Sequence, residues 1–341
     1  MKRNAEVHRR PCGESPARRF SSRTASASFF FLASLLLGAV AAGAQGPAET
    51  EKAIKAPLVA KSLLLDSTRA GKSLVVVGER GHILISRDGG GSWAQAEVPT
   101  RSTLTAVYFH DEKLGWAAGH DAVILRTRDG GTSWERVHWA PEAEAPFLDL
   151  WFADATNGFA VGAYGRCFVT ADGGTTWTER RVSEEDFHLN QIARAASGRL
   201  YIAAESGQVF RSDDGGVNWS QTDTAYSGSF FGILPLENAS VLVFGLRGHL
   251  FRSDDGGTTW TRIETGTSSM LNSAIRLADG RIVIVGLGGT VLVSEDGGRS
   301  FALREQSSRS GIQSVVDAGN GQLVLTGEHG VRQQPVSGLE K

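Results

Sequence analysis

Six aspartates occupy the same place in a repeated octet and are the first candidates for chemistry in this sequence. Each is followed by two glycines and, five residues later, by a large aromatic residue. Carboxylates could act as general acids or bases, or bind Ca²⁺. However, equivalent copies that recur every 41 to 43 residues cannot converge on one substrate, so we predict a structural role. The octets contain Asp88, Asp129, Asp172, Asp214, Asp255 and Asp296, and end with Trp93, Trp134, Trp177, Trp219, Trp260 and Phe301.

The composition of the octet explains what that structural role would be. An aspartate carboxylate can accept hydrogen bonds from backbone N–H groups a few residues ahead and hold a turn. Glycine adopts positive φ angles at little steric cost. The aromatic side chain would then bury its ring between sheets, where removing such a ring costs about 3–5 kcal/mol. We therefore predict that each octet is a stabilised turn, with no catalytic residue.

Four histidines, at positions 82, 120, 249 and 329, could in principle meet around a metal ion. They have none of the close spacing that is typical of paired zinc ligands, such as His-x₃-His on one helix face. We therefore predict no metal site and no cofactor.

A second marker, close to Gly-x-x-Gly, begins eight residues before each octet and occurs once more after the last one. It opens at Gly78, Gly119, Gly162, Ala204, Gly245, Gly286 and Gly327. Two markers in register indicate an internal repeat, here of seven units. The units span about residues 58–100, 101–143, 144–186, 187–227, 228–268, 269–309 and 310–341.

Each unit contains four short apolar runs separated by glycine, aspartate and asparagine turns, and no run has a helical period. Four-stranded units of this length predict an all-β, seven-bladed β-propeller with almost no helix. The seventh unit ends before a fourth strand. We predict that residues 45–57 supply this strand, so that strands from both termini close the ring.

The turns of the second marker differ from one unit to the next, unlike the octets. In the predicted propeller they share a face with the connections between units, opposite the octets. Mixed charges with aromatic residues are typical of a protein-recognition surface. The candidate partner-binding residues are Arg80, His82, His120, Asp121, Tyr164, Arg166, Gln208, Arg247, His249, Glu328 and His329.

The composition of the chain narrows the classes of partner and compartment. The 341 residues carry 35 Lys+Arg and 37 Asp+Glu, a formal charge of −2, which gives no electrostatic reason to expect nucleic acid binding. Two cysteines exclude a disulfide scaffold, and Cys167 is expected to be a packed thiol. Glycine, at 42 residues, is abundant without a Gly-X-Y period, which excludes collagen.

The first 44 residues resemble a secretory signal peptide. A basic segment is followed by an apolar stretch, residues 29–40, and by Ala42-Gly43-Ala44. The apolar stretch is short for a membrane span of about 20 residues. We therefore predict export to the periplasm or the extracellular space, with an uncleaved membrane anchor as the alternative, and no later transmembrane span.

The octets resemble the Asp-box, or BNR, repeats of sialidases and other propellers. Complete units, such as residues 104–119 and 148–162, are similar to the photosystem II stability/assembly factor-like family. The resemblance covers about residues 55–332. It implies a seven-bladed propeller without catalytic activity that acts as an assembly or interaction factor for a protein partner, such as a membrane complex. No binding residue is carried over from it, and we expect a monomer.

The alternative is a glycoside hydrolase of the sialidase or Asp-box type, or a carbohydrate-binding propeller. A hydrolase would need an arginine cluster that grips a carboxylate, or two carboxylates on long loops beside a cleft. The near-constant spacing of the units leaves no room for such loops. We therefore predict that the protein is not an enzyme.

Overall fold

A computed structural model describes residues 51–339, which form seven antiparallel β-sheets arranged as the blades of a propeller. The predicted all-β, seven-bladed fold is confirmed. The first four blades contain β1 Leu64–Ala70, β2 Ser73–Gly78, β3 Ile83–Ser86, β4 Ala94–Gln95; β5 Leu104–Phe109, β6 Gly115–Gly119, β7 Ile124–Thr127, β8 Glu135–His138; β9 Phe147–Phe152, β10 Gly158–Gly162, β11 Cys167–Thr170, β12 Thr178–Arg180; β13 Leu189–Arg194, β14 Leu200–Ala204, β15 Gln208–Ser212, β16 Ser220–Asp223.

The remaining three blades follow in the same order along the chain. They contain β17 Phe230–Pro235, β18 Val241–Gly245, β19 Leu250–Ser253, β20 Thr261–Ile263; β21 Leu271–Arg276, β22 Ile282–Gly286, β23 Thr290–Ser294, β24 Ala302–Glu305; β25 Ile312–Asp317, β26 Gln322–Gly327, β27 Gly330–Pro335. The helices among the described residues are short 3₁₀ turns. They span Val59–Lys61, Glu79–Gly81, His120–Ala122, Pro141–Ala143, Leu246–Gly248, Leu287–Gly289 and Val336–Leu339.

The second strand of each blade carries most of the core. Residues of β6, β10, β14, β18 and β22 are buried along their whole length. A strand that lies inside a sheet and between two neighbouring blades is covered on both faces, so it becomes a continuous apolar run instead of alternating. The run Ile282-Val283-Ile284-Val285 is an example. The hydrophobic clusters accordingly combine residues of adjacent blades.

The innermost strands follow one another around a central channel, and the last of them, β25, contacts the first, β1. Side chains connect these two strands: the Ser67 and Ser314 hydroxyls are 2.8 Å apart, and Arg69 donates to the Asp317 carbonyl oxygen. The ring therefore closes by packing the seventh blade against the first.

The prediction that residues 45–57 form the outer strand of the seventh blade is wrong for the part that is described. The described sheet of that blade has three strands, and residues 51–57 are not a strand. Instead, the Ala53 amide donates to the Val98 carbonyl oxygen and the Gln95 side chain bonds the backbone of Ile54 and Ala56.

The outer edges of the first and seventh blades explain why the N-terminal segment lies on the first. Because β4 has two residues, it leaves backbone groups at the outer edge of the first blade, which residues 51–57 cover. The outer strand β27 ends in Pro335, which cannot donate to a further strand and is typical of an edge. The predicted signal peptide, residues 1–44, and residues 45–50 lie outside the described part of the chain.

Candidate functional site

The antiparallel order of the strands separates the loops of the ring onto two faces. The connections between second and third strands and those between blades lie on one side, which we call the turn face. The octets join third and fourth strands and lie on the opposite side, which we call the octet face. The two faces differ in uniformity, because the octet sequence repeats and the turn sequence does not.

Each octet aspartate is engaged by its own turn. In the first blade the Ser86 hydroxyl donates to Asp88 Oδ1 at 2.7 Å, and the Ser92 amide and hydroxyl donate to Oδ1 and Oδ2 at 2.9 and 2.6 Å. Equivalent contacts recur in the other five octets, with the Asn218 side-chain amide in place of the second hydroxyl in the fourth blade.

These hydrogen bonds stabilise the ionised carboxylate. The pKa of Asp88 falls far below its usual range because Ser92 donates from its hydroxyl and its amide. The Thr176 and Asn218 donors likewise lower the pKa values of Asp172 and Asp214 to about 2. A carboxylate that remains ionised and fully occupied by its own turn is a poor general acid, which matches a structural role.

The aromatic residue of the octet packs against the hydrophobic core between neighbouring blades, as Trp134 does between the first and second. Trp134 is 7% exposed, and its indole meets Phe109 edge-on with 6.1 Å between the ring centroids. The indole N–H donates to the Gly131 carbonyl oxygen at 2.9 Å. Trp177 and Trp219 make equivalent edge-on contacts with Phe152 and Phe159 but are only half-buried.

On the turn face, the tips of six turns adopt the left-handed backbone conformation. Five of the tips are not glycine: their φ angles are 56° to 58°, against 65° for Gly288 in the sixth blade. For a residue with a side chain, this conformation costs on the order of 1 kcal/mol. The five residues are Arg80, Asp121, Tyr164, Ser206 and Arg247.

The candidate partner-binding residues are spread around the turn face and do not form one pocket. Arg80, His120, Asp121, Arg247 and His329 are exposed at the surface. Tyr164 is 60% exposed and stands edge-on to His188, with ring centroids 5.0 Å apart.

The other candidates are partly or wholly engaged within the protein. His82 is 5% exposed and hydrogen-bonded to the Ser62 hydroxyl, so it offers almost no contact area. His249 stacks on Tyr226, and Glu328 accepts a hydrogen bond from the Gly311 amide. Arg166 lies over the Phe168 ring, while Gln208 bonds the Ser206 carbonyl oxygen and the Gln221 amide.

Metal binding by the histidines has no support in the geometry. In residues 51–339 no group of three or more histidine, cysteine, aspartate or glutamate side chains is arranged to hold a metal ion. Burial of His82 lowers its pKa, since desolvation disfavours the imidazolium form.

The central channel contains two carboxyls that sequence reasoning missed, Asp66 and Asp149. They line a cavity of about 240 Å³ together with polar residues of the other innermost strands. Each carboxyl accepts a hydrogen bond from a backbone amide in the innermost strand of the next blade: the Val107 N–H donates to Asp66 Oδ2 and the Ile192 N–H to Asp149 Oδ2, both at 2.9 Å. Gln191 makes the corresponding bond to Ile233 with its neutral amide oxygen.

A β-bulge explains why these side chains point into the channel. Every innermost strand skips one residue in its pairing near its start, as between Leu64 and Asp66 in β1. A bulge bends the strand and re-aims a side chain. The only sequence signal was an aspartate in the third position of β1 and of β9, after two apolar residues, which is weak on its own.

Burial raises the pKa of both channel carboxyls. Desolvation in the narrow channel raises the pKa of Asp66 to about 6. The same effect, with the nearby charge of Asp66 added, raises the pKa of Asp149 to about 8. Because backbone amides hold both groups, we assign them a role in connecting blades.

None of the helices in the described part of the chain combines the length and hydropathy that crossing a lipid bilayer requires.

One known protein family has a profile that matches nearly all of the propeller. The profile of the family described as "Photosynthesis system II assembly factor YCF48" matches residues 51–143 and 141–330. The "Photosystem II assembly protein Ycf48" of Synechococcus sp. (strain JA-3-3Ab) is 39% identical over 130 residues, 37% of this chain and 39% of that protein. "Photosystem II stability/assembly factor HCF136, chloroplastic" of Cyanidioschyzon merolae is 42% identical over 48 residues, 14% and 11% of the two chains. The matches thus span well under half the length of these relatives.

Solved structures share the fold at low sequence identity. The structure titled "YCF48 bound to D1 peptide" superposes with a TM-score of 0.68 at 19% identity and covers 84% of this chain and 96% of that one. "YCF48 from Cyanidioschyzon merolae" gives 0.66 at 18% identity, covering 84% and 98%. The WD40 propeller domain of Doa1 also gives 0.66, at 14% identity, covering 83% and 95%. At these identities the likeness concerns the fold.

Proposed function

This chain belongs to the photosynthesis system II assembly factor YCF48 family, and on that premise we propose that it is a non-catalytic propeller that binds a protein partner. The partner would be a membrane-associated complex, which this protein serves as an assembly or accessory factor. The turn face would make the contact. We further propose that the protein is exported and acts as a monomer in the periplasm or the extracellular space.

The left-handed turn tips carry this proposal. The Gly-x-x-Gly turn needs positive φ at its tip, and glycine meets that need without strain, as Gly288 does. Five blades nevertheless place a side chain there, among them Arg80, Tyr164 and Arg247. Strained residues that cluster on one face suggest that their side chains serve a purpose there.

The chemistry of these side chains favours a protein surface as the partner. Arginine and tyrosine are enriched at interfaces and dominate their binding energy. Both Arg80 and Tyr164 are exposed, with 79% of the Arg80 side chain and 60% of Tyr164 accessible to solvent. A relative whose structure is titled as bound to the D1 peptide supports recognition of a polypeptide by this fold.

The absence of catalysis is supported by the state of the carboxylates. The octet aspartates are occupied by their own turns, as Asp88 is by Ser86 and Ser92. The channel pair, Asp66 and Asp149, is held by backbone amides. A glycoside hydrolase would need one carboxyl free to protonate a leaving group and another free to attack or to activate water.

The test replaces three arginines of the turn face. We expect the triple change of Arg80, Arg166 and Arg247 to alanine to weaken capture of the partner from the native envelope at least tenfold, without lowering the Tm. The matched control changes Arg87, Arg128 and Arg299 on the octet face, which removes the same charge. Equal capture by both triple variants would contradict binding through the turn face.

A further inference from the structure

In four of the blades, a side chain at one equivalent position connects the blade to the octet of the next. The position lies in the third strand of a blade and pairs with a residue near the start of the second strand, as Arg126 pairs with Trp116. There an arginine or glutamine donates to the carbonyl oxygen of the first octet glycine in the following blade. The contacts are Arg126 to Gly173 at 2.9 Å, Arg211 to Gly256 at 3.3 Å, Arg252 to Gly297, and Gln333 to Gly89 at 3.0 Å.

We call the space between two neighbouring blades a gap. The gap between the third and fourth blades lacks this donor. Val169 occupies the position in the third strand, opposite Phe159. In the second blade the paired residue, Trp116, also donates its indole N–H to Gly173, which phenylalanine cannot do. Neither of these two positions therefore supplies a guanidinium or an indole donor to Gly215.

The backbone around Gly215 nevertheless has the conformation of its equivalents. Its φ angle is 74°, compared with 72° at Gly173, 73° at Gly256 and 74° at Gly297. The φ angle of the following glycine agrees as well, at 86° for Gly216 and 85° for Gly174, Gly257 and Gly298, so the octet turn keeps its shape in this blade. Gly215 is exposed, whereas Gly173 and Gly256 are buried, and a Cβ atom built on Gly215 would meet no atom within 4 Å.

An open groove of about 350 Å³ occupies the place of the missing side chain. Its lining includes Phe159, Val169, Thr178 and Gly215, together with Val217, which is 64% exposed. The gap between the first two blades also lacks an arginine. There the longer Ile85 approaches to 3.3 Å from the position of a Cβ on Gly131 and packs the space.

Charges of both signs lie near the groove, and among the described residues the carboxylates that flank it outnumber the one cation in its lining. Two octet carboxylates flank it: Asp214 precedes Gly215, and Asp172 accepts a hydrogen bond from Thr176 of the groove lining. Arg180 is the one cationic residue among the lining residues that the structure describes. The flat guanidinium of arginine suits a slot between an aromatic ring and a carbonyl oxygen better than an ammonium does.

We propose that this groove, on the octet face, binds the guanidinium group of an arginine side chain supplied by a protein partner. The bound group would occupy the place that Arg126, Arg211 and Arg252 occupy in other gaps, with Gly215 as acceptor. The site lies on the opposite face from the proposed turn-face contact and does not depend on it. A partner with an exposed arginine could thus contact the ring from its second side.

The probe for this site is N-acetyl-arginine amide, with N-acetyl-citrulline amide as its uncharged isostere. Amide chemical shifts of Gly215, Gly216 and Val217 are followed by ¹H–¹⁵N NMR during titration of the full protein. We expect saturable shifts with the arginine compound and at least tenfold weaker binding of citrulline. No saturable shift, or equal binding of both compounds, would overturn the proposal.

Two variants test the geometry in opposite directions. Val169→Arg supplies the donor from the chain itself, and we expect it to abolish the shifts. Thr178→Glu places a carboxylate where Glu135 pairs with Arg126, whose Nε lies 2.7 Å from Glu135 Oε1. We expect it to tighten binding at least threefold, whereas Thr261→Glu, on an outer strand elsewhere, leaves it unchanged.

Each variant can also contradict the proposal. Weaker binding of the arginine compound by Thr178→Glu would show that its guanidinium does not lie beside residue 178 and would contradict the proposal. Undiminished binding by a folded Val169→Arg protein would place the arginine elsewhere. Thr178 lies on a short, exposed outer strand, so its replacement keeps the test valid even if Val169→Arg does not fold.

Discussion

Asp149 lies in the central channel, where its carboxyl accepts hydrogen bonds from the amides of Leu150 and Ile192. Its pKa, about 8, is far above the value near 4 of an aspartate in an unfolded chain. Between these two values the unfolded chain has released the proton while the folded protein retains it. The contribution of this group to stability is therefore complete below about pH 4 and is lost as the pH rises through about 8.

We predict that Asp149→Asn, which cannot ionise, removes this loss. The Tm of the variant relative to that of the wild type should rise between pH 5 and pH 9. Thermal unfolding followed by circular dichroism measures the difference, in which shared contributions such as the lowered pKa of His82 cancel.

Asp66→Asn serves as the comparison, because the pKa of Asp66 is about 6. The rise in Tm of Asp66→Asn relative to the wild type should be nearly complete by pH 7. The corresponding rise for Asp149→Asn should continue to pH 9. A Tm difference that is independent of pH for both variants would show that neither carboxyl is protonated in the folded protein.

Trp134 is the most buried of the octet tryptophans and has the best-formed indole hydrogen bond, to Gly131. We predict that Trp134→Ala lowers the free energy of unfolding by about 3–5 kcal/mol, because the ring leaves a cavity between blades. Urea denaturation measures this loss. A loss below about 1 kcal/mol would contradict packing of the ring between sheets, and Trp139→Ala, at an exposed site, is the control.

At the scale of the elements, the N-terminal segment is the part whose position the sequence did not predict. Residues 51–57 precede the first blade as an outer strand would, which suggested the seventh blade. The choice of edge depends on backbone groups: a two-residue β4 leaves an open edge, and Pro335 ends the other. Such details of strand length cannot be read from periodicity.

We predict that a zero-length carbodiimide reagent couples Lys55 to Glu97, whose charged groups lie 3.7 Å apart at the surface of the first blade. Peptide mass spectrometry of the digested protein identifies the link, and Lys55→Gln should abolish it. A link from Lys55 to a residue of the seventh blade would contradict this position and support the closing strand predicted from the sequence.

The repeated elements themselves were predictable because their signals are local. The octet aspartate and glycines determine a turn, and the number of repeated units determines the number of blades. The channel pair and the open groove at Val169 were not predictable in this way. Each depends on which residue of a neighbouring blade stands opposite, for example Gly215 opposite Val169, and that relation appears only in three dimensions.

At the scale of the whole molecule, the ring separates stability from recognition. Inter-blade contacts such as Asp149 to Ile192 and Gln333 to Gly89 connect neighbouring sheets, including the seventh and the first. Apart from the open groove at Val169, the octet face is uniform and internally bonded, whereas the turn face holds different side chains at equivalent strained tips. A closed scaffold can tolerate such variation because the blades stay packed whatever the tips carry.

Site-specific photocrosslinking tests the central claim, protein binding through the turn face, most directly. A photoreactive phenylalanine analogue replaces Tyr164 on the turn face or Glu295 on the octet face, both of which are exposed. Irradiation of intact native cells, followed by mass spectrometry, identifies any captured protein. We predict that the partner protein is captured from position 164 and that it is not captured from position 295. Capture from position 295 alone would contradict the proposed binding face.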